Sequence, residues 1–169
     1  METTQIIYLE LQKINNFAFA TLVISIIDFE KDNESQDYHA SKFTLNNKSI
    51  IYRLAKNTPK KLGQFVTIWK RNREGITEPF AHSNNFDYLL VASKKEQRFG
   101  FFIFPKLVLL QNKILSSEHI EGKRGFRVYP RWEKPTILQA QKTQEWQVKY
   151  FIELRNAVDF TILKSIIII

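Results

Sequence analysis

The chain has 169 residues, 44% hydrophobic and 25% charged, a globular composition with enough length for one domain and a real core, and it excludes a disordered segment. Its 25 Lys and Arg outnumber 17 Asp and Glu, giving a net charge of +8, so the partners to expect are anionic: nucleic acid, phosphorylated ligands or an acidic surface. With no cysteine, disulfides, thiolate nucleophiles and Cys-ligated zinc are excluded. The first ten residues lack a signal-peptide pattern. The apolar run 17–27 falls short of the roughly 20 residues a membrane span needs, so a cytoplasmic protein with no membrane partner is expected.

In chain order, Ile7, Leu11, Ile14 and Ala18 fall at helical spacing and predict a helix over 3–18, with Thr3 or Thr4 as cap. The β-branched run 21–29 predicts a strand, and 30–37 a loop or short helix. Residues 38–45 and 49–55 predict a hairpin around the turn residues Asn46, Asn47 and Lys48. Pro59 cannot donate a ladder hydrogen bond and is expected to break the pairing, with a strand resuming over 63–70. A loop follows over 72–85, then a second hairpin of 86–93 and 98–104. Pro105 can open a short helix over 106–111, and 124–129 reads as a short strand. A helix is predicted over 136–154, with Ala140, Gln144, Gln147, Val148, Phe151 and Leu154 on one side and Trp146 and Tyr150 in an adjacent stripe. The tail 155–169 ends in four isoleucines and suggests an extra edge strand. Strands in the middle and helices at both ends predict an α+β fold, a single-domain mixed, largely antiparallel sheet flanked by N- and C-terminal helices.

The stretch 53–73 stands out. It carries Arg53, Lys56, Lys60, Lys61, Lys70, Arg71 and Arg73 without one acid, interleaved with Phe65, Val66, Ile68 and Trp69. A strand that serves only the core has no use for that much uncompensated charge. A second such group, 122–132, holds Lys123, Arg124, Arg127 and Arg131 among Phe126, Tyr129 and Trp132, and 136–154 adds Gln144 and Trp146. Cations neutralise phosphates, amides and hydroxyls hydrogen-bond phosphate or base edges, and aromatic rings stack on unpaired bases. The expected ligand-binding set is therefore Arg53, Lys56, Thr58, Lys60, Lys61, Gln64, Lys70, Lys123, Arg124, Arg127, Tyr129 and Gln144. Arg53, Lys56, Lys60, Lys61, Lys123, Arg124 and Arg127 should converge on one face or cleft that binds DNA or RNA. A small anionic ligand or a protein partner is the alternative. Phe65, Phe126 and Trp146 read more readily as core.

Four motifs together, AKNTPKKLGQFVTIWKR at 55–71, FIFPK at 102–106, GKRGFRVYPRW at 122–132 and QAQKTQEWQVKYF at 139–151, resemble the MepB-like family of small bacterial proteins. The resemblance covers 34–154, so residues 1–154 are read as the family's domain and 155–169 as an apolar tail outside it. The family carries no established reaction. Its fold is similar to the restriction-endonuclease-like core, which does not fix a function. The family pattern has Gly-Gln-Phe ahead of the FPK segment, where this chain has Gly100, Phe101 and Phe102, so a polar group is lost if that position lines a site.

That fold prompts a nuclease test. Phosphodiester cleavage of this kind needs two or more carboxylates holding Mg²⁺ and a nearby lysine. Asp87 opens a strand and would ligate the metal; Lys106 would position or activate water; Glu34 is the nearest candidate for a further acid. The pattern wants an acid two residues before the lysine, and Phe104 stands there. Asp87, Lys106 and Glu34 thus make an incomplete catalytic set, with Mg²⁺ as its cofactor if it works at all. The three histidines show no metal-ligand spacing, and the five glycines form no phosphate loop.

Overall fold

Alternating side chains build most of the molecule. A computed structural model describes residues 7–155 and 158–168; the candidate caps Thr3 and Thr4 lie outside the described residues. The strands, in chain order, are β1 (Ile26–Lys31), β2 (Ser41–Leu45), β3 (Lys48–Leu54), β4 (Lys56–Thr58), β5 (Lys61–Thr67), β6 (Trp69–Arg71), β7 (Thr77–Pro79), β8 (Tyr88–Lys95), β9 (Arg98–Pro105), β10 (Gly125–Val128) and β11 (Phe151–Glu153). A central six-stranded sheet runs in the order β1-β2-β3-β8-β9-β11. Only the β3–β8 pair in it is parallel. A three-stranded sheet, β10-β5-β4, and the β6–β7 ribbon lie apart from it in the pairing.

The central sheet separates two apolar cores. Ile50, Tyr52 and Leu54 of β3, Leu90 and Ala92 of β8, and Phe99, Phe101 and Ile103 of β9 face the first. Ile51, Leu89, Val91, Phe102 and Phe104 alternate with them and face the second. The first core is closed by α1 (Leu9–Ile14), whose helical path continues through Leu22, and by the tail. The second is closed by Val66 of β5, by Phe126 and Val128 of β10, and by Leu109 of α2 (Lys106–Gln111). The fold is α+β, a single domain with a mixed, largely antiparallel sheet and short helices near its termini. Among the described residues no helix is long and apolar enough to cross a membrane.

The β2–β3 hairpin turns on Asn46 and Asn47, with φ of 48° and 61°. Asparagine tolerates that left-handed region, and two such residues give the turn whose twist matches the strands. Elsewhere the structure departs from the local pattern. The helix expected to stop at Ala18 runs on to Leu22, so the strand expected from Thr21 starts at Ile26, after the left-handed Val23. Pro59 does not abolish pairing: with Lys60 it forms the tip of a hairpin in which β4 pairs β5. Proline's missing donor costs nothing at a turn, where no ladder bond is due.

The helix expected over 136–154 is cut short. α3 (Leu138–Gln147) gives way to one 3₁₀ turn, and Phe151–Glu153 becomes β11 on the edge of β9. The β9 edge needs hydrogen-bond partners, and as a strand Phe151 and Ile152 point into the two cores on opposite faces. With that edge taken, the isoleucine-rich tail is not an edge strand. It coils instead as α4 (Thr161–Leu163) and a π turn, Lys164–Ile168, and buries Leu163 and Ile167 in the first core. Tyr88 Oη donates to the Ile166 carbonyl at 2.7 Å and Asn46 Nδ2 to that of Ile167 at 2.8 Å.

Leu163 is fully buried, so Leu163→Ala is expected to cost about 2–5 kcal/mol, measured as a shift in the urea unfolding midpoint at unchanged slope. A tail that merely trailed in solvent would leave the midpoint where it is.

Candidate anion-binding cleft

Strands β3 and β8 run parallel, and a parallel pair needs a long crossover. Here the crossover contains the basic stretch. Strands β4, β5 and β10 hold no Asp or Glu at all. Their sheet is fastened to the central one by the fully buried amide of Gln64, which donates to the Lys94 carbonyl at 2.7 Å and to Asn57 Oδ1 at 3.0 Å and accepts from the Ser93 hydroxyl. Gly63 adopts φ 78°, and a Cβ there would come within 2.7 Å of the Tyr129 ring. Glycine at this position is thus required twice, by the backbone and by the ring that covers it.

Between the β4–β5 tip, β10 and α3 lies a cleft of about 610 Å³. Lys60, Lys61 and Leu62 form one wall, and Phe126, Arg127 and Tyr129 another. Ala140, Thr143, Trp146 and Gln147 of α3 form the third, with Ile137 just before it, and Asn112, Ile114 and Lys123 also line it. No acid lines it. The buried amide of Gln147 sets the geometry: its Oε1 accepts from the Tyr129 N–H at 2.8 Å, and its Nε2 donates to the Arg127 carbonyl at 2.9 Å. Trp146 is half-buried against Phe104, 5.4 Å between ring centroids, and still lines the cleft. Among the described residues, Lys60, Lys61, Lys123 and Arg127 make no ion pair; the salt bridges engage other cations. Uncompensated cations in a concave site focus a positive field on whatever enters.

Of the residues expected from the sequence, the structure brings Lys60, Lys61, Lys123, Arg127 and Tyr129 together there. The single face expected for Arg53, Lys56, Lys60, Lys61, Lys123, Arg124 and Arg127 does not form. Lys56 lies on the exposed side of β4, its ammonium 5.1 Å from the Tyr38 ring. Thr58 accepts a hydrogen bond from the Arg127 guanidinium. Lys70 pairs with Glu78, and Arg124 pairs with Glu121 and donates to the Thr77 carbonyl. Gln64 is structural, as above. Gln144 donates to the Pro130 and Glu133 carbonyls and pins the loop ahead of α3. Asn112 and Ile137 line the cleft without having been singled out as binders. The one available signal was Ile137, an apolar residue beside Pro135 that ends 70% exposed.

Arg53 is the plainest correction. It shares the face of Ile51 and Ala55, toward the second core, and is 1% exposed. Its Nη1 donates to the Tyr52 carbonyl at 2.9 Å, while Nε and Nη2 have no partner. Burial pulls its pKa down to about 10, with Asp32 opposing the shift. A cation whose folded pKa lies below its unfolded value penalises folding at all lower pH, and the penalty lifts as pH rises through 10.

The nuclease set comes together only in part: Asp87 and Lys106 are neighbours, the Lys106 N–H donating to the Asp87 carbonyl at 3.0 Å, and their side chains turn to other partners. Asp87 Oδ2 accepts from the Ser49 N–H at 2.8 Å, at the start of β3. The Lys106 ammonium donates to the Asn84 carbonyl and sits 5.0 Å from the Phe86 ring, so it makes no pair with Asp87. Glu34 bonds Arg71 at 2.6 Å, in the segment before β2, at the end of the sheet where β3 finishes. Phe104, where an acid would be needed, is fully buried among Phe102, Phe126, Trp146 and Tyr150. Among the described residues no group of three His, Cys, Asp or Glu could hold a metal ion. Phe101, the departure from the family pattern, packs on Phe19 in the first core and takes nothing from the cleft.

A family model described as MepB-like matches residues 32–153. A crystal structure of MepB superposes with a TM-score of 0.78 at 31% identity, over 89% of this chain and 99% of that one. A bacterial homing endonuclease superposes with a TM-score of 0.45 at 12% identity, over 80% and 84% of the two chains, a likeness too slight to carry an argument. No curated protein matches the chain.

If Arg53 is a buried, half-satisfied charge rather than a ligand contact, Arg53→Met keeps its volume and removes the penalty. Thermal unfolding near neutral pH is expected to show equal or greater stability, by up to about 3 kcal/mol. A marked loss would mean that Nε and Nη2 serve a partner.

Proposed function

This chain belongs to the MepB-like family, and on its framework we infer that the protein binds nucleic acid through the basic cleft, gripping phosphates more than reading bases. One observation carries the reading. Lys60, Lys61, Lys123 and Arg127 gather in one concave site without a carboxylate and without ion pairs among the described residues. Lysine and arginine hold phosphates by charge and by charge-assisted hydrogen bonds, which position a polyanion without specifying its sequence. Hydrolysis has no comparable support: Asp87 and Lys106 are neighbours, but the Asp87 carboxylate accepts from the Ser49 N–H, the Lys106 ammonium donates to the Asn84 carbonyl, and Glu34 bonds Arg71.

The volume of the cleft supports a second reading. At about 610 Å³ it lies within the range of small-molecule sites, roughly 300–1,000 Å³, and could take a single phosphorylated ligand. Chain length separates the two. A nucleic-acid binder gains affinity as an oligonucleotide lengthens, and a small-ligand site does not.

Four phosphate contacts predict a slope of about −3 for log affinity against log salt on single strands. Fluorescence anisotropy in rising NaCl measures it. Lys60→Glu with Lys61→Glu is expected to abolish binding at moderate salt while leaving the fold intact, since both side chains are exposed. Absence of binding by folded wild-type protein at low salt would sink this reading.

A further inference from the structure

The three-stranded sheet has two faces, and only one serves the core. Gln64, Val66, Phe126 and Val128 point inward and are buried. By alternation Phe65, Arg127 and Lys56 point outward, and Tyr129 lies on that side over Gly63. The outer face carries two large rings on glycine beds. A Cβ on Gly63 would meet the Tyr129 ring at 2.7 Å, and one on Gly125 would meet the Phe65 ring at 2.4 Å. Each ring is folded down onto bare backbone, yet both remain only half-buried. Tyr38 continues the row, edge-to-face with Phe65 at 6.2 Å, with the Lys56 ammonium 5.1 Å from its own ring.

Tyr38 packs against the second core, whereas Phe65 and Tyr129 belong to neither core. Arg127 and Tyr129 belong both to this face and to the cleft, so the two surfaces are continuous. The strands beneath contain cations and no acid, which suits a polyanion. Asp37 stands beside Tyr38 and, after burial, helps to raise the pKa of its hydroxyl.

We propose that this outer face is a stacking platform for unpaired bases, with Phe65 and Tyr129 as its rings, and that single-stranded nucleic acid is therefore what the protein takes. This rests on the nucleic-acid reading above and adds the substrate class. The phosphates run along Lys56, Arg127 and the cleft lysines, while successive bases lie on the rings. A duplex keeps its bases paired inside and offers the rings nothing, so it engages the cations alone.

The test compares labelled oligo-dT and oligo-U with a blunt mixed-sequence duplex of equal length in anisotropy titrations at one salt concentration. Single strands are expected to bind tighter than the duplex. Phe65→Ala and Tyr129→Ala should each weaken single-strand binding by about tenfold, and Phe65→Ala, outside the cleft, should leave the duplex affinity and the salt slope unchanged. Phe65→Tyr and Tyr129→Phe, which keep a ring, should restore it. Gly125→Ala keeps the Phe65 ring but lifts it from its bed, and should weaken single-strand binding alone; it serves also if Phe65→Ala fails to fold by circular dichroism. If single strand and duplex bind equally and the ring variants change nothing, the cations bind nucleic acid and the platform is overturned. If neither binds at low salt, both the nucleic-acid reading and the platform fall.

Discussion

A strand at the edge of a small sheet has backbone groups that need partners, and in β10 the Gln147 side chain supplies them. Its amide copies a peptide unit, accepting from Tyr129 and donating to Arg127. Buried backbone groups left unpaired would each cost about 1–3 kcal/mol, so this one side chain holds the edge in register. It also docks α3 beside β10, and the space left between them is the cleft. The two residues whose backbones Gln147 grips are the two that join the cleft to the outer sheet face.

The parallel β3–β8 pair is the other condition for the site. A parallel step forces the chain across a face of the sheet, and this crossover folds back as β4 and β5 over the second core. Val66, Phe126 and Val128 pack inward on Phe102 and Phe104, leaving the alternate residues outside. The same period of two that builds the core thus sorts the basic stretch into an inner apolar face and an outer cationic one. Gln64 adds direction to that packing, because its fully bonded amide fixes how the second sheet sits on Ser93 and Lys94.

Charge is distributed by the same logic. Some cations outside the cleft are paired, as in Lys70–Glu78, Arg71–Glu34 and Arg98–Glu153, and such exposed pairs add little stability. Those in the cleft are not paired among the described residues, and mutual repulsion there disfavours the empty site. That is the expected sign for a site whose missing charge comes from a ligand. Arg53 shows the opposite use of a cation, sealed in the core with one carbonyl and a depressed pKa.

Much of this was written locally. Alternation located most strands, the Asn46–Asn47 pair placed a turn, and the density of Lys and Arg in 53–73 and 122–132 marked the segments that form the cleft. What the local pattern could not decide was which face each residue takes and which edges need partners. Arg53 looks like Lys60 in sequence, but its parity along β3 points it inward. Residues 151–153 carry a helical spacing, but the open edge of β9 makes them a strand, and with that edge filled the isoleucine tail coils into the first core. The sheet brings Asp87 and Lys106 side by side, but their side chains turn to separate partners and Glu34 bonds Arg71. The sequence by itself determined periodicity, turns and the amount of charge, because those depend on neighbours within a few residues. Tertiary structure alone decided burial, pairing and convergence, because a side chain's face and partner are fixed by strands far away in the chain.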